Sequence, residues 1–178
     1  MKTIVLIISI VLLVSFQSFS QLEFEGTIKS NFKAIQFEDG EMKFYNFDPK
    51  SQNIKFYNLD NSLWKTIQLP LDKNHYFEEL LLVSQNTINT DDEIELVYTS
   101  IEYNYTHVEE DPNDDNDLVR YTLNIVNESG QKLLTVPNSQ RLKLSSSNGI
   151  NKLLVYKGAE FAFRDDSEIL VYALPIKK

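Results

Sequence analysis

The chain has 178 residues, with 17 basic against 26 acidic side chains, a net charge of −9 and no cysteine. Such a balance repels nucleic-acid phosphates and anionic lipid headgroups, and argues against both as partners. Without cysteine there is neither a disulfide framework nor a lipoprotein anchor, so the fold has to rest on its own core.

In chain order, Lys2, the apolar run Ile4–Val14 and the small residues around Ser18-Phe19-Ser20 make a secretory signal peptide, with cleavage expected before Gln21. A run of about 11 apolar residues is short of the roughly 20 that a bilayer span needs, so no integral membrane segment is expected after cleavage. Losing residues 1–20 leaves 158 residues, the length of one domain, and takes the net charge to −10 with the loss of Lys2.

Gln21–Ile28 is a first strand or a frayed lead-in. Phe32–Phe37 and Met42–Phe47 are predicted strands joined by Asp39-Gly40, a strong hairpin signal. Ile54–Asn58 and Leu63–Leu69 form a second hairpin round Asp60-Asn61-Ser62, closed by Pro70. Phe44-Tyr45-Asn46 and Phe56-Tyr57-Asn58 repeat one pattern twelve residues apart, a meander spacing. Tyr76–Ser84 is the most apolar run of the mature chain. Its continuity fits a strand or a short helix, and its β-rich neighbours favour the strand. Glu93–Thr99, Ile101–Val108, Leu118–Val126, Gln131–Val136, Arg141–Leu144, Ile150–Lys157 and Glu168–Leu174 complete the predicted strands. The expectation is an all-β domain over residues 21–178, an antiparallel meander of about ten to twelve strands in stacked hairpins.

Asp60–Pro70 laid over Asn127–Pro137, an offset of 67 residues, aligns turn formers, Lys65 with Lys132 and Pro70 with Pro137. Leu-Val-Tyr recurs at Leu96–Tyr98, Leu154–Tyr156 and Leu170–Tyr172. Recurring hairpins suggest a propeller-like or partial propeller stack. An up-and-down β-barrel is the alternative.

The segments Asn53–Pro70, Asp92–Tyr98, Ile125–Gly130 and Leu170–Pro175 resemble stretches of secreted proteins of Bacteroidota-type bacteria. In those proteins a β-rich, propeller-like N-terminal region precedes a type IX secretion sorting domain. The resemblance covers about Phe44–Pro175. It implies an all-β fold and export to the periplasm, the cell surface or beyond, and its motifs are structural, not catalytic. This sequence ends three residues after Pro175 without the sorting domain, which keeps the periplasm among the expected destinations.

Asp111-x-Asn113-x-Asp115-x-Asp117 sets oxygen side chains at every second residue, the spacing with which a tight loop wraps calcium. Asn116 stands where such loops need glycine, and Thr122 where they need glutamate, so a solvated acidic loop is the plainer account. His75 and His107 have no partner at metal-ligand spacing. No nucleophile elbow or phosphate loop occurs, and a carboxylate pair for glycoside hydrolysis is identifiable by geometry alone. Tyr57 and Trp64 are candidates for an exposed ligand platform, although most aromatics in such a chain pack the core. The functional expectation is a non-catalytic secreted module that binds an undetermined surface or extracellular ligand. The alternatives are a barrel carrying a small apolar ligand and, more weakly, a carboxylate hydrolase.

Overall fold

The computed structural model describes residues 24, 26–91, 93–103, 119–158 and 168–175. Strands β1 (Lys33–Gln36), β2 (Met42–Asp48), β3 (Asn53–Tyr57) and β4 (Leu63–Gln68) form a first sheet. Strands β5 (His75–Ser84), β6 (Glu95–Tyr103), β7 (Val119–Asn127) and β8 (Lys132–Pro137) form a second. Strands β9 (Ser139–Ser147), β10 (Ile150–Lys157) and β11 (Glu168–Ala173) form a third. All neighbours pair antiparallel and in sequence order, so each sheet is a meander. The described residues contain no helix.

The sheets stack face to face. One core cluster joins the first sheet to the second: Ile54, Phe56, Ile67 and Leu69 meet Leu80, Val83, Leu96, Tyr98 and Val126. The other joins the second sheet to the third: Val97, Leu123, Ile125 and Val136 meet Leu153 and Val155. The second sheet is therefore covered on both faces, and β6 is buried without a break from Glu95 to Ile101. Burial of this kind is worth about 1.5–3 kcal/mol for each large apolar side chain. It is the main source of stability in a fold without cross-links.

None of the three sheets closes on itself, so the up-and-down barrel is excluded, and with it the carriage of an apolar ligand in a barrel interior. Tyr76–Ser84 is a strand as expected, one residue longer at its start. The predicted strands 93–99 and 101–108 join, over their described residues, into the one strand β6 (Glu95–Tyr103), because Ser100 breaks nothing. It pairs with Phe77 on one side and Thr122 on the other. The described part of the lead-in has no strand before Lys33. Residues 1–20, the predicted signal peptide, lie outside the described residues.

Three hairpin turns repeat one design. Gly40 N–H donates to Phe37 O, Asn61 N–H to Asn58 O and Gly130 N–H to Asn127 O; then Phe37, Asn58 and Asn127 N–H donate to Glu41, Ser62 and Gln131 O. This is a type I turn followed by a left-handed residue, the three-residue hairpin loop. That residue is Gly40, Asn61 or Gly130, at φ 89°, 66° and 80°. The β3–β4 and β7–β8 hairpins also share a bulge: Tyr57 faces Leu63 while Phe56 faces Lys65, and Val126 faces Lys132 while Ile125 faces Leu134. The internal repeat is therefore real, but its structural offset is 69 residues. The sequence match at 67 aligned like residues two places out of register.

The β7–β8 turn also locks the first two sheets together. A Cβ on Gly130 would stand 3.0 Å from the backbone oxygen of Gln68 in β4, and Lys65 pairs with Glu128 at 2.6 Å. Gly149, at φ 76° in the β9–β10 turn, has no atom within 4 Å of that position. Gly149→Ala should therefore cost only its backbone strain, about 1 kcal/mol, whereas Gly130→Ala should cost about 2–3 kcal/mol. Urea denaturation of the two variants measures the difference.

Candidate functional site

Tyr57 and Trp64 do not form one platform, because β-alternation is broken between them. Strict alternation back from the buried Ile67 would place Trp64 on the outer face with Tyr57. The bulge inserts Trp64 as the extra residue between Leu63 and Lys65 and turns its indole inward. There its ring lies 5.5 Å from Phe37 and 6.2 Å from Phe56, both edge-on. Lys43 Nζ stands 4.7 Å and Lys65 Nζ 5.1 Å from the ring centroid. Lys43 is almost wholly buried, and it is held by Glu41 and by Asn58 Oδ1 at 2.9 Å. Trp64 is thus a half-buried structural residue between two cations. Tyr57 stays on the outer face of the first sheet, across from Phe44 and 4.9 Å from the Phe32 ring.

Because the indole fills the margin of the core, Trp64→Ala should cost about 2–4 kcal/mol. Tyr57→Ala, at a half-exposed site, should cost less than half as much. Chemical denaturation of both variants tests this ordering.

The third sheet turns Leu153 and Val155 toward the second, so its outer face is built from the alternate residues. Three cross-strand rows cover that face: Arg141–Tyr156–Ile169, Lys143–Leu154–Val171 and Ser145–Lys152–Ala173. Ile169 is 54% and Val171 60% exposed. The rows hold three basic residues and no carboxylate, on a chain of net charge −9. Strand β11 is also an edge, with no further strand paired to it among the described residues.

The most perturbed carboxyl in the usual titration range is Glu95, the first residue of β6. It is fully buried, and its Oε2 has no hydrogen-bond partner. Asn89 Nδ2 donates to its Oε1 at 2.5 Å. Burial raises the carboxyl to about pH 7; Asp91 adds to the rise, Asn89 opposes it, and Glu93 and Glu38 add smaller repulsions. Tyr98, also fully buried, is pushed well above the ordinary phenol range by burial and by Asp72, and its hydroxyl donates to Pro70 O at 3.4 Å. His75 lies at the start of β5 with its Nδ1 3.2 Å from Lys73 O, tied to the backbone of its own turn. His107 and the acidic loop with Asp111, Asn113, Asp115 and Asp117 lie outside the described residues.

The raised Glu95 makes a signed prediction. In a metal-free buffer the folded chain holds this carboxyl neutral after the unfolded chain has ionised. Its contribution is therefore full below about pH 4.5 and is lost as pH rises to about 7. Glu95→Gln should be close to the parent in stability at pH 4 and more stable at pH 8, as read from melting temperatures across that range.

No family model, curated protein or solved structure matches the chain.

Proposed function

We propose that the chain is an exported, non-catalytic binding module whose outer third-sheet face takes an acidic polypeptide segment. The observation that carries this reading is the composition of that face. Leu154, Tyr156, Ile169 and Val171 form an apolar centre, with Arg141, Lys143 and Lys152 around it, on an otherwise acidic chain. Apolar side chains supply contact area, and the basic rim selects charge and steers approach. The edge of β11, unpaired among the described residues, offers backbone groups to an extended partner, which is how sheet edges take up peptide strands. Export is supported by the leader-like residues 1–20 and by the resemblance to secreted Bacteroidota-type proteins. No helix among the described residues is long and apolar enough to cross a membrane. The face-to-face meanders favour a propeller-like stack, in which each sheet serves as a blade.

The test is fluorescence anisotropy with labelled amphipathic peptides of equal length, one acidic and one basic. The acidic peptide should bind, with affinity falling as salt is raised. Val171→Glu should weaken it at least tenfold while leaving the melting temperature within about 2 °C, since the side chain is exposed. Equal binding of both peptides, or turnover of a glycoside or ester panel by the purified chain, overturns the reading.

A further inference from the structure

The segment entering β6 reads Asn89-Thr-Asp91-Asp-Glu93-Ile-Glu95, an oxygen-bearing side chain at every second position. The loop is curled by its own side chains: Asp91 N–H donates to Asn89 Oδ1 at 3.2 Å and Glu93 N–H to Asp91 Oδ1 at 2.9 Å. Two carboxylates converge on the Asn89 amide, Asp91 Oδ2 at 2.8 Å and Glu95 Oε1 at 2.5 Å from Nδ2. A separate observation concerns the strand beneath. Glu95 is fully buried and its second oxygen has no partner, and neither of its oxygens is paired with a Lys or Arg among the described residues. A buried carboxylate in that state is costly, and a bound cation is one of the few groups that relieve it.

We propose that the β5–β6 loop is a calcium site, with Glu95 and Asp91 as its carboxylate ligands and Asn89 and Glu93 completing the oxygen set. Rotating the Asn89 side-chain amide by half a turn exchanges Nδ2 for Oδ1 at the point where the two carboxylates meet, at the cost of the bond from Asp91 N–H to Oδ1. Three side chains then present oxygen to one centre. Among the described residues no three acidic or histidine side chains are already gathered at metal-holding distance. Binding therefore has to draw Glu93 inward, and Glu93 and Asp91 are both exposed at the loop surface. Calcium suits this arrangement better than magnesium. It accepts six to eight oxygens at variable geometry, whereas magnesium demands a near-ideal octahedron and keeps its waters.

The experiment is thermal unfolding of the purified protein in EDTA and then in increasing calcium, with isothermal calorimetry on the same samples. Calcium in hundredfold excess over its Kd should raise the melting temperature by roughly 5–10 °C, with magnesium giving a smaller rise. Glu95→Gln should abolish the rise, and Asp91→Asn, a change at an exposed position, should weaken binding at least tenfold. The double variant Asp115→Asn/Asp117→Asn should respond as the parent does. No heat and no shift at ~10 mM calcium, about tenfold above the weakest dissociation constants of extracellular calcium modules, overturn the proposal. A response that survives Glu95→Gln, or one lost only in the 115/117 variant, overturns it as well.

Discussion

The whole structure depends on covering the second sheet from both sides. Strand β6 has no solvent face over seven consecutive residues, Glu95–Ile101, so its polar side chains can find partners only within the stack. Ser100 and Asn124 do this for each other: Asn124 Nδ2 donates to Ser100 Oγ at 3.1 Å and to Thr122 O at 3.2 Å, and Asn124 Oδ1 accepts from Thr135 at 3.2 Å. These bonds run across β6, β7 and β8 and tie the sheet's register to one set of partners. A one-residue slip would break them and would also exchange the two core clusters. Register in the middle of the stack is thus fixed by polar pairs as much as by apolar ones.

The first and third sheets are buried on one side only, and they resolve that asymmetry differently. The outer face of the first carries Asn46, Lys55 and Thr66 in one row, with Lys55 paired to Asp48 at 3.3 Å. Its aromatic patch of Phe32, Phe44 and Tyr57 is partly self-covering, through the Phe32–Tyr57 ring contact. Among the described residues, no ring contact of this kind covers Ile169 and Val171 on the outer face of the third. Terminal layers of a stack usually need a polar outer face to remain soluble; the third sheet instead leaves Ile169 and Val171 more than half exposed.

Much of this was legible in the residues. The Asp39-Gly40 turn, the short β-branched and aromatic runs and the closing prolines are local signals, and local physics decided those strands. The errors fall where a non-local event intervened. The repeat offset was misread because Asn61 and Gly130 do the same conformational work with different side chains, while the visible Asp-Asn-Ser and Asn-Glu-Ser strings occupy different turn positions. Trp64 stands both as a platform candidate and as a core residue in the sequence because a bulge leaves no fixed mark in composition, and strict alternation without it would put the indole on the outer face. The barrel alternative needed a last strand to reach the first, a contact no periodicity reports.

The two acidic stretches make the same point about sites. Asp111–Asp117 and Asn89–Glu95 share the every-second-residue pattern, and the first attracts the eye because it is denser in charge. Density by itself is a weak signal, since like charges close together repel one another. In Asn89–Glu95 the last member is committed to a strand, β6. Glu95 cannot move away from water-poor surroundings without unpairing β6 from Ser84 and Asn127, so its charge has to be neutralised where it stands. The options are a proton, which its raised pKa supplies below neutrality, and the proposed cation, for which Asn89, bonded to both Glu95 and Asp91, would have to turn its amide oxygen inward. The pairing of β6 with β5 and β7 therefore fixes where that carboxylate stands, whichever of the two neutralises it.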